Sequence, residues 1–159
     1  MGATGWEYVT PYHGSIEATL EALHEEVFQE LYGDGEEYKS REELYADEEF
    51  MGEAGTHSIL DVYRIVDTPA APGIRDWDYN TLRPLGPDRL IHHFGTEQPT
   101  LHQYEGAMAR ANEASYPRSR RDKDTTLLDE HELRWTGLYV LLYSDGEPTH
   151  IGIFGTSGD

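Results

Sequence analysis

Asp61 lies in an otherwise apolar run, among Ile59, Leu60, Val62, Tyr63, Ile65 and Val66. Such aliphatic, β-branched and aromatic content predicts a strand over residues 56–66. Alternate side chains of a strand share a face, which would place Asp61 with His57, Ile59, Tyr63 and Ile65. A carboxylate on a buried sheet face is costly unless paired, and its pKa rises if it is left alone. His57 and Asp61 on one strand face could work as a general acid–base pair, with Tyr63 beside them. His57, Asp61 and Tyr63 are therefore the candidate catalytic residues. The structural alternative is a partly solvated face, or an ion pair between Asp61 and an arginine such as Arg134.

The other chemistry-bearing residues form weaker patterns. There are eight histidines, but no pair has H-x-x-x-H spacing. His92 and His93 are adjacent, so on a helix they point about 100° apart. A metal site would have to assemble from distant positions, and no metal is expected. The single basic cluster is Arg118-Ser119-Arg120-Arg121-Asp122-Lys123. Arg118, Arg120 and Arg121 offer bidentate donors to a phosphate or carboxylate, although a loop that folds against the acidic helices or is simply solvated is the simpler account. Gly152, Gly155 and Gly158 around Thr156 and Ser157 could frame an anion nest, but a frayed tail is the simpler expectation. The sequence has no P-loop, dinucleotide-binding glycine fingerprint or G-x-S-x-G elbow, and no cofactor is expected.

Acidic residues dominate one stretch. Residues 17–53 hold fourteen acids against Lys39 and Arg41, a net of −12 out of −19 for the whole chain. Glu17, Glu21 and Glu25 recur every fourth residue, a ridge with about 6 Å between steps along a helix. Like charges at this spacing repel by a few tenths of a kcal/mol. Together with Glu42 and Glu43 they form a candidate docking face for a basic protein partner. An immunity or inhibitor protein uses such a face, with fast, salt-sensitive association. A solvated face in an acidic proteome is the competing account.

The elements that must position these residues follow from periodicity and punctuation. Residues 6–10 read as a strand ended by Pro11. Ser15 then caps a helix whose apolar stripe is Ile16, Leu20, Leu23, Val27 and Leu31, stopped by Gly33. Ser40 and Glu43 make a capping box for a second helix running to Gly52 or Gly55. After the anticipated strand, residues 67–85, with three prolines, read as a long irregular connection, of a length often found in functional or mobile loops. Pro87 opens a short helix that Gly95 ends. Thr100 and Gln103 box the start of another, which carries Leu101, Tyr104, Met108 and Ala111 inward. Two closing strands, 134–143 and 149–154, flank Asp145-Gly146, a strong hairpin signal. The first of these is apolar on both faces, as befits a central strand covered by helices.

The expected fold is thus a single α+β domain over residues 1–159. A mostly antiparallel sheet of four or more strands is packed by about four helices, in the order β-α-α-β-loop-α-α-β-β. The order of the strands within the sheet stays open. The 18 aromatic rings argue for a folded chain despite an apolar content of only 37%. No apolar run reaches the length of a membrane span, and the first twelve residues lack the basic and apolar regions of a signal peptide. With no cysteine there is neither a disulfide framework nor a thiolate metal site, and a cytoplasmic location is expected. Ten arginines against two lysines suggest a GC-rich genome, actinobacterial or halophilic. So large an acid excess argues against nucleic acids and anionic membranes as partners. Two functions remain in view: a non-catalytic binding protein for a basic partner, and a small enzyme built on His57 and Asp61.

Overall fold

The computed structural model of the protein describes residues 3–70, 78–114 and 126–158. Its sheet is built outward from the C-terminal hairpin. Strands β4 (Thr136–Ser144) and β5 (Glu147–Ser157) join through Asp145 and Gly146, whose φ values of 52° and 79° are both positive. That is the two-residue turn whose twist matches the flanking strands. The N-terminal strand β1 (Thr4–Pro11) runs antiparallel along the far edge of β5, from Thr4 opposite Ser157 to Pro11 opposite His150. On the other side of β4, the short strands β3 (Thr81–Pro84) and β2 (Arg64–Ile65) pair in parallel. The order is β1-β5-β4-β3-β2.

The fold is therefore α+β around a five-stranded mixed sheet, antiparallel in one half only. Two sequence expectations change. The strand anticipated over 56–66 shrinks to two residues, and β3 forms inside the stretch read as irregular. β3 and β4 can lie parallel because the chain between them is long enough for a crossover carrying two helices.

Helix α1 (Ile16–Tyr32) starts where Ser15 Oγ accepts the Ala18 N–H at 3.0 Å. Its buried stripe is Leu20, Leu23, Val27, Phe28 and Tyr32, with His24 inside it. Leu31, expected on this stripe, is 49% exposed; at 3.6 residues per turn Tyr32 takes the inward position instead. The second anticipated helix is in fact two, α2 (Arg41–Ala46) and α3 (Glu48–Glu53). They divide at Asp47, which leaves helical geometry (φ −81°, ψ 79°) and caps α3 by accepting the Phe50 N–H at 3.0 Å. Helix α4 (Pro87–Phe94) ends at a left-handed Gly95, and α5 (Leu101–Glu113) starts in the expected Thr100–Gln103 capping box. A short 3-10 segment, Leu127–Glu130, precedes β4.

Strand alternation sorts the core into two clusters, one on each face of the sheet. Leu138, Val140, Leu142 and Phe154 meet Tyr104, Ala107 and Met108 of α5. Tyr139 and Leu141, with Ile151 and Ile153, turn to the opposite face, where α1 and Leu44 of α2 pack. β4 is the twice-covered central strand that its composition predicts. Residues 147–157 form the long strand β5 rather than a frayed tail, and Ser157 is fully buried where its Oγ accepts the Trp6 indole N–H at 2.9 Å.

Candidate functional site

The proposed acid–base pair depends on a strand that the structure replaces. Ser58 caps a single 3-10 turn, Ile59–Asp61, and Asp61 closes that turn's own capping box. Alternation therefore does not apply there, and the three candidate residues diverge. Asp61 is 0% exposed, with Oδ1 accepting the Thr56 N–H at 2.7 Å and the Thr56 hydroxyl at 3.0 Å. Its Oδ2 faces the Ser58 N–H at 3.4 Å. His57 is exposed with φ 56°, and its Nδ1 contacts Thr4 Oγ1 at 2.9 Å. No hydrogen bond joins it to Asp61. Tyr63 turns outward, 49% exposed. The buried carboxylate is satisfied by local donors, a structural arrangement, and no arginine is needed to neutralise it.

The 3-10 turn is also held from α1. His24, buried in the helix, donates its Nε2–H to the carbonyls of Ile59 (3.1 Å) and Val62 (2.9 Å). Burial lowers its pKa, and these two carbonyls only partly offset the effect. The imidazole is thus a neutral clamp between α1 and the turn that carries Asp61.

The acidic residues of α1–α3 are placed as a surface. Glu17, Glu21, Glu25, Glu42 and Glu43 are all exposed. The ridge is nevertheless partly tied down. Arg41 at the start of α2 forks across α1, bonding Glu21 and lying 3.1 Å from Glu25 through Nε. The Arg41 hydrogen bond holds the Glu21 carboxyl below its usual range. Glu43 accepts the Lys39 N–H at 3.1 Å. Asp47 is occupied as a cap and as the acceptor of the Tyr38 hydroxyl at 2.8 Å, which pushes the Tyr38 pKa up to about 12. Glu17 and Glu42 make no hydrogen bond or ion pair among the described residues.

An aromatic cleft lies within the same acidic face. Tyr45 of α2, Glu48, Met51 and Gly52 of α3, and Tyr63 and Asn80 line a volume of about 550 Å³. The Tyr45 and Tyr63 rings meet edge to face at 5.6 Å. The Tyr45 hydroxyl is fixed by donating to the Leu60 carbonyl at 2.8 Å. The exposed Tyr63 ring and the half-buried Tyr45 ring beside the Glu48 carboxylate suit a partner's arginine or lysine, through cation–π contact and charge.

Arg118, Arg120 and Arg121, the candidate anion-binding residues, lie outside the described residues. Among those described, no group of three or more His, Asp and Glu residues could hold a metal ion. A polar cluster that the sequence reading missed stands on the other face of the sheet. Glu130 Oε1 accepts from His93 Nε2 at 2.9 Å and from Arg89 Nε at 2.6 Å. Burial acts to raise the Glu130 pKa, and the His93 and Arg89 bonds outweigh it, so the carboxyl titrates below its usual range. Nearby, Arg83 of β3 is 3% exposed and donates to the Ala70 carbonyl at 2.6 Å and Thr81 Oγ1 at 3.2 Å, with Asp78 Oδ1 at 3.4 Å. Arg83, Arg89 and Glu130 line a cleft of about 450 Å³. The four-residue spacing of Arg89 and His93 put them on one helix face. Their acceptor, however, lies 37 residues beyond His93 and carries no local signal. No protein-family model, curated protein or solved structure matches the chain, so this geometry alone bears on what it does.

Proposed function

We propose that the protein is a non-catalytic binding protein, immunity- or inhibitor-like, whose α1–α3 face engages a basic protein partner. One observation carries this reading: the aromatic cleft of Tyr45 and Tyr63 opens beside Glu48, with the Glu21 charge also acting on Tyr45, so an apolar anchor point and negative charge occur together. Interfaces concentrate their binding energy in such aromatic positions, and surrounding charge sets the rate and specificity of encounter. Glu17, Glu42 and Glu48 supply charge with few internal commitments, while Glu21 and Glu25 share theirs with Arg41. The alternative, an enzyme using His57 and Asp61, lacks a geometric basis, because those side chains bond to different partners.

The test is retention of basic proteins from a native extract by the immobilised wild-type chain, Tyr63→Ala and the double variant Glu42→Lys/Glu48→Lys. A specific basic protein held at low salt, released at high salt and lost with both variants is the expected result. Equal retention by all three, or no retention by the wild type, defeats the reading.

A further inference from the structure

A second site lies on the opposite face of the sheet, between α5 and the edge strand β1. Trp6 and Tyr8 of β1 join the core cluster under α1, so Glu7 and Val9 turn to the α5 side. Here Glu7, Val9, Tyr104, Glu105 and Met108 line a groove of about 340 Å³, within the range of small-ligand sites. Tyr104 is only 2% exposed, yet its hydroxyl has no hydrogen-bond partner. Its ring lies flat on Gly152, where an added Cβ would stand 2.3 Å from Cζ. Gly152 is in turn paired with Val9. On its other side Gly152 pairs with Val140 of β4, and it is the Glu7 charge acting on the Tyr104 hydroxyl that puts this end of the ring on the β1 side of the groove.

A buried hydroxyl with no partner is costly, and a ligand can relieve that cost as either donor or acceptor. The surrounding charge decides between them. Glu7 and Glu105 flank the groove, and Glu7 adds to burial in raising the Tyr104 pKa. An anionic ligand would meet two carboxylates, whereas a cationic donor would meet two counter-charges and a hydroxyl oxygen ready to accept. Met108 and Val9 offer only apolar surface, which suits a short hydrocarbon stem.

We propose that this groove binds an ammonium group on a short apolar stem, with Tyr104 Oη accepting one N–H, Glu7 and Glu105 supplying counter-charge, and Met108 and Val9 packing the stem. The site does not depend on the α1–α3 face and stands or falls separately from it.

The experiment is a titration of the 15N-labelled protein with n-butylamine, n-butanol and butyrate, followed by amide shifts. The expected result is saturable shifts in β1 and α5 with n-butylamine, and much weaker binding of the two controls. Tyr104→Phe should weaken the amine about tenfold, the size expected for a hydrogen bond to a charged group. Glu7→Gln, at an exposed position where folding is not at risk, should narrow the preference for n-butylamine over n-butanol. A capped Gly-Lys-Gly peptide separates the two sources of such a group: tighter binding than n-butylamine assigns the site to a lysine side chain, weaker binding to a free amine. The proposal is overturned if n-butylamine does not saturate, if n-butanol or butyrate binds as tightly, or if both variants bind like the wild type.

Discussion

Asp61 shows how the same residue can look catalytic in sequence and structural in space. Both its oxygens face donors from Thr56 and Ser58 within five residues, and the carboxylate is fully buried. Removing it leaves those donors without an acceptor, so Asp61→Ala should cost on the order of 3 kcal/mol. His57→Ala, which loses only one exposed bond to Thr4, should cost no more than about 1 kcal/mol. Urea unfolding midpoints of the two variants check this, and equal costs would refute the structural role. His24 adds a pH dependence. Its folded pKa lies below the 6.5 of the unfolded chain. As pH falls through 6.5, the unfolded state therefore takes up a proton that the folded state resists, and stability declines. His131, whose Nε2–H donates to the Thr136 carbonyl at 2.9 Å, is lowered by burial in the same way. The unfolding midpoint should drop between about pH 7 and pH 5.5, and the drop should shrink in His24→Gln. Glu130 acts in a separate, more acidic window: its stabilisation is lost only as pH falls from 4.5 through its depressed folded value.

At the scale of elements, the capping and turn signals were legible because their chemistry is local. Ser15, Thr100 with Gln103, Pro87 with Gly95, and Asp145 with Gly146 each act on backbone groups within a few residues. The failures have equally definite causes. Ser58-Ile59-Leu60-Asp61 is itself a capping-box pattern, but the apolar residues around it also satisfy a strand, and only the packing of α1 against the turn selects between them. β3 has four residues and ends on Pro84; it is a strand because β4 and β2 accept and donate on either side. Two glycines offer a test of element packing. An alanine at Gly152 would drive its Cβ into the Tyr104 ring and lift α5 from the sheet, at a cost of about 3 kcal/mol. At Gly146 nothing lies within 4 Å of an added Cβ, but φ is 79°, so alanine there should cost only about 1 kcal/mol of backbone strain. Thermal midpoints should rank Gly152→Ala well below Gly146→Ala, and the reverse order would contradict the close α5–β5 contact.

For the whole molecule, charge is the dominant physical property. A net charge of −19 repels itself in the folded state, and salt shortens the reach of that repulsion to about 8 Å at 0.15 M. The thermal midpoint should therefore rise as sodium chloride is added from low ionic strength. A continued climb into molar salt marks a salt-adapted protein, a plateau near 0.15 M an ordinary one, and no rise at all would show the acids to be compensated internally. Composition, charge distribution, the N-terminal amphipathic helix and the closing hairpin were determined by the sequence itself, since each depends on residue type and short-range periodicity. The tertiary structure alone decided that the sheet is mixed and that Asp61 and His57 part company. It also decided that Tyr45 and Tyr63 form a cleft beside Glu48, and that the Tyr104 hydroxyl ends unpartnered on the Glu7 side of its groove. In the mixed sheet, the tyrosine cleft and the Tyr104 groove, the partners are separated by many residues, and no local pattern encodes which distant groups the fold brings within reach.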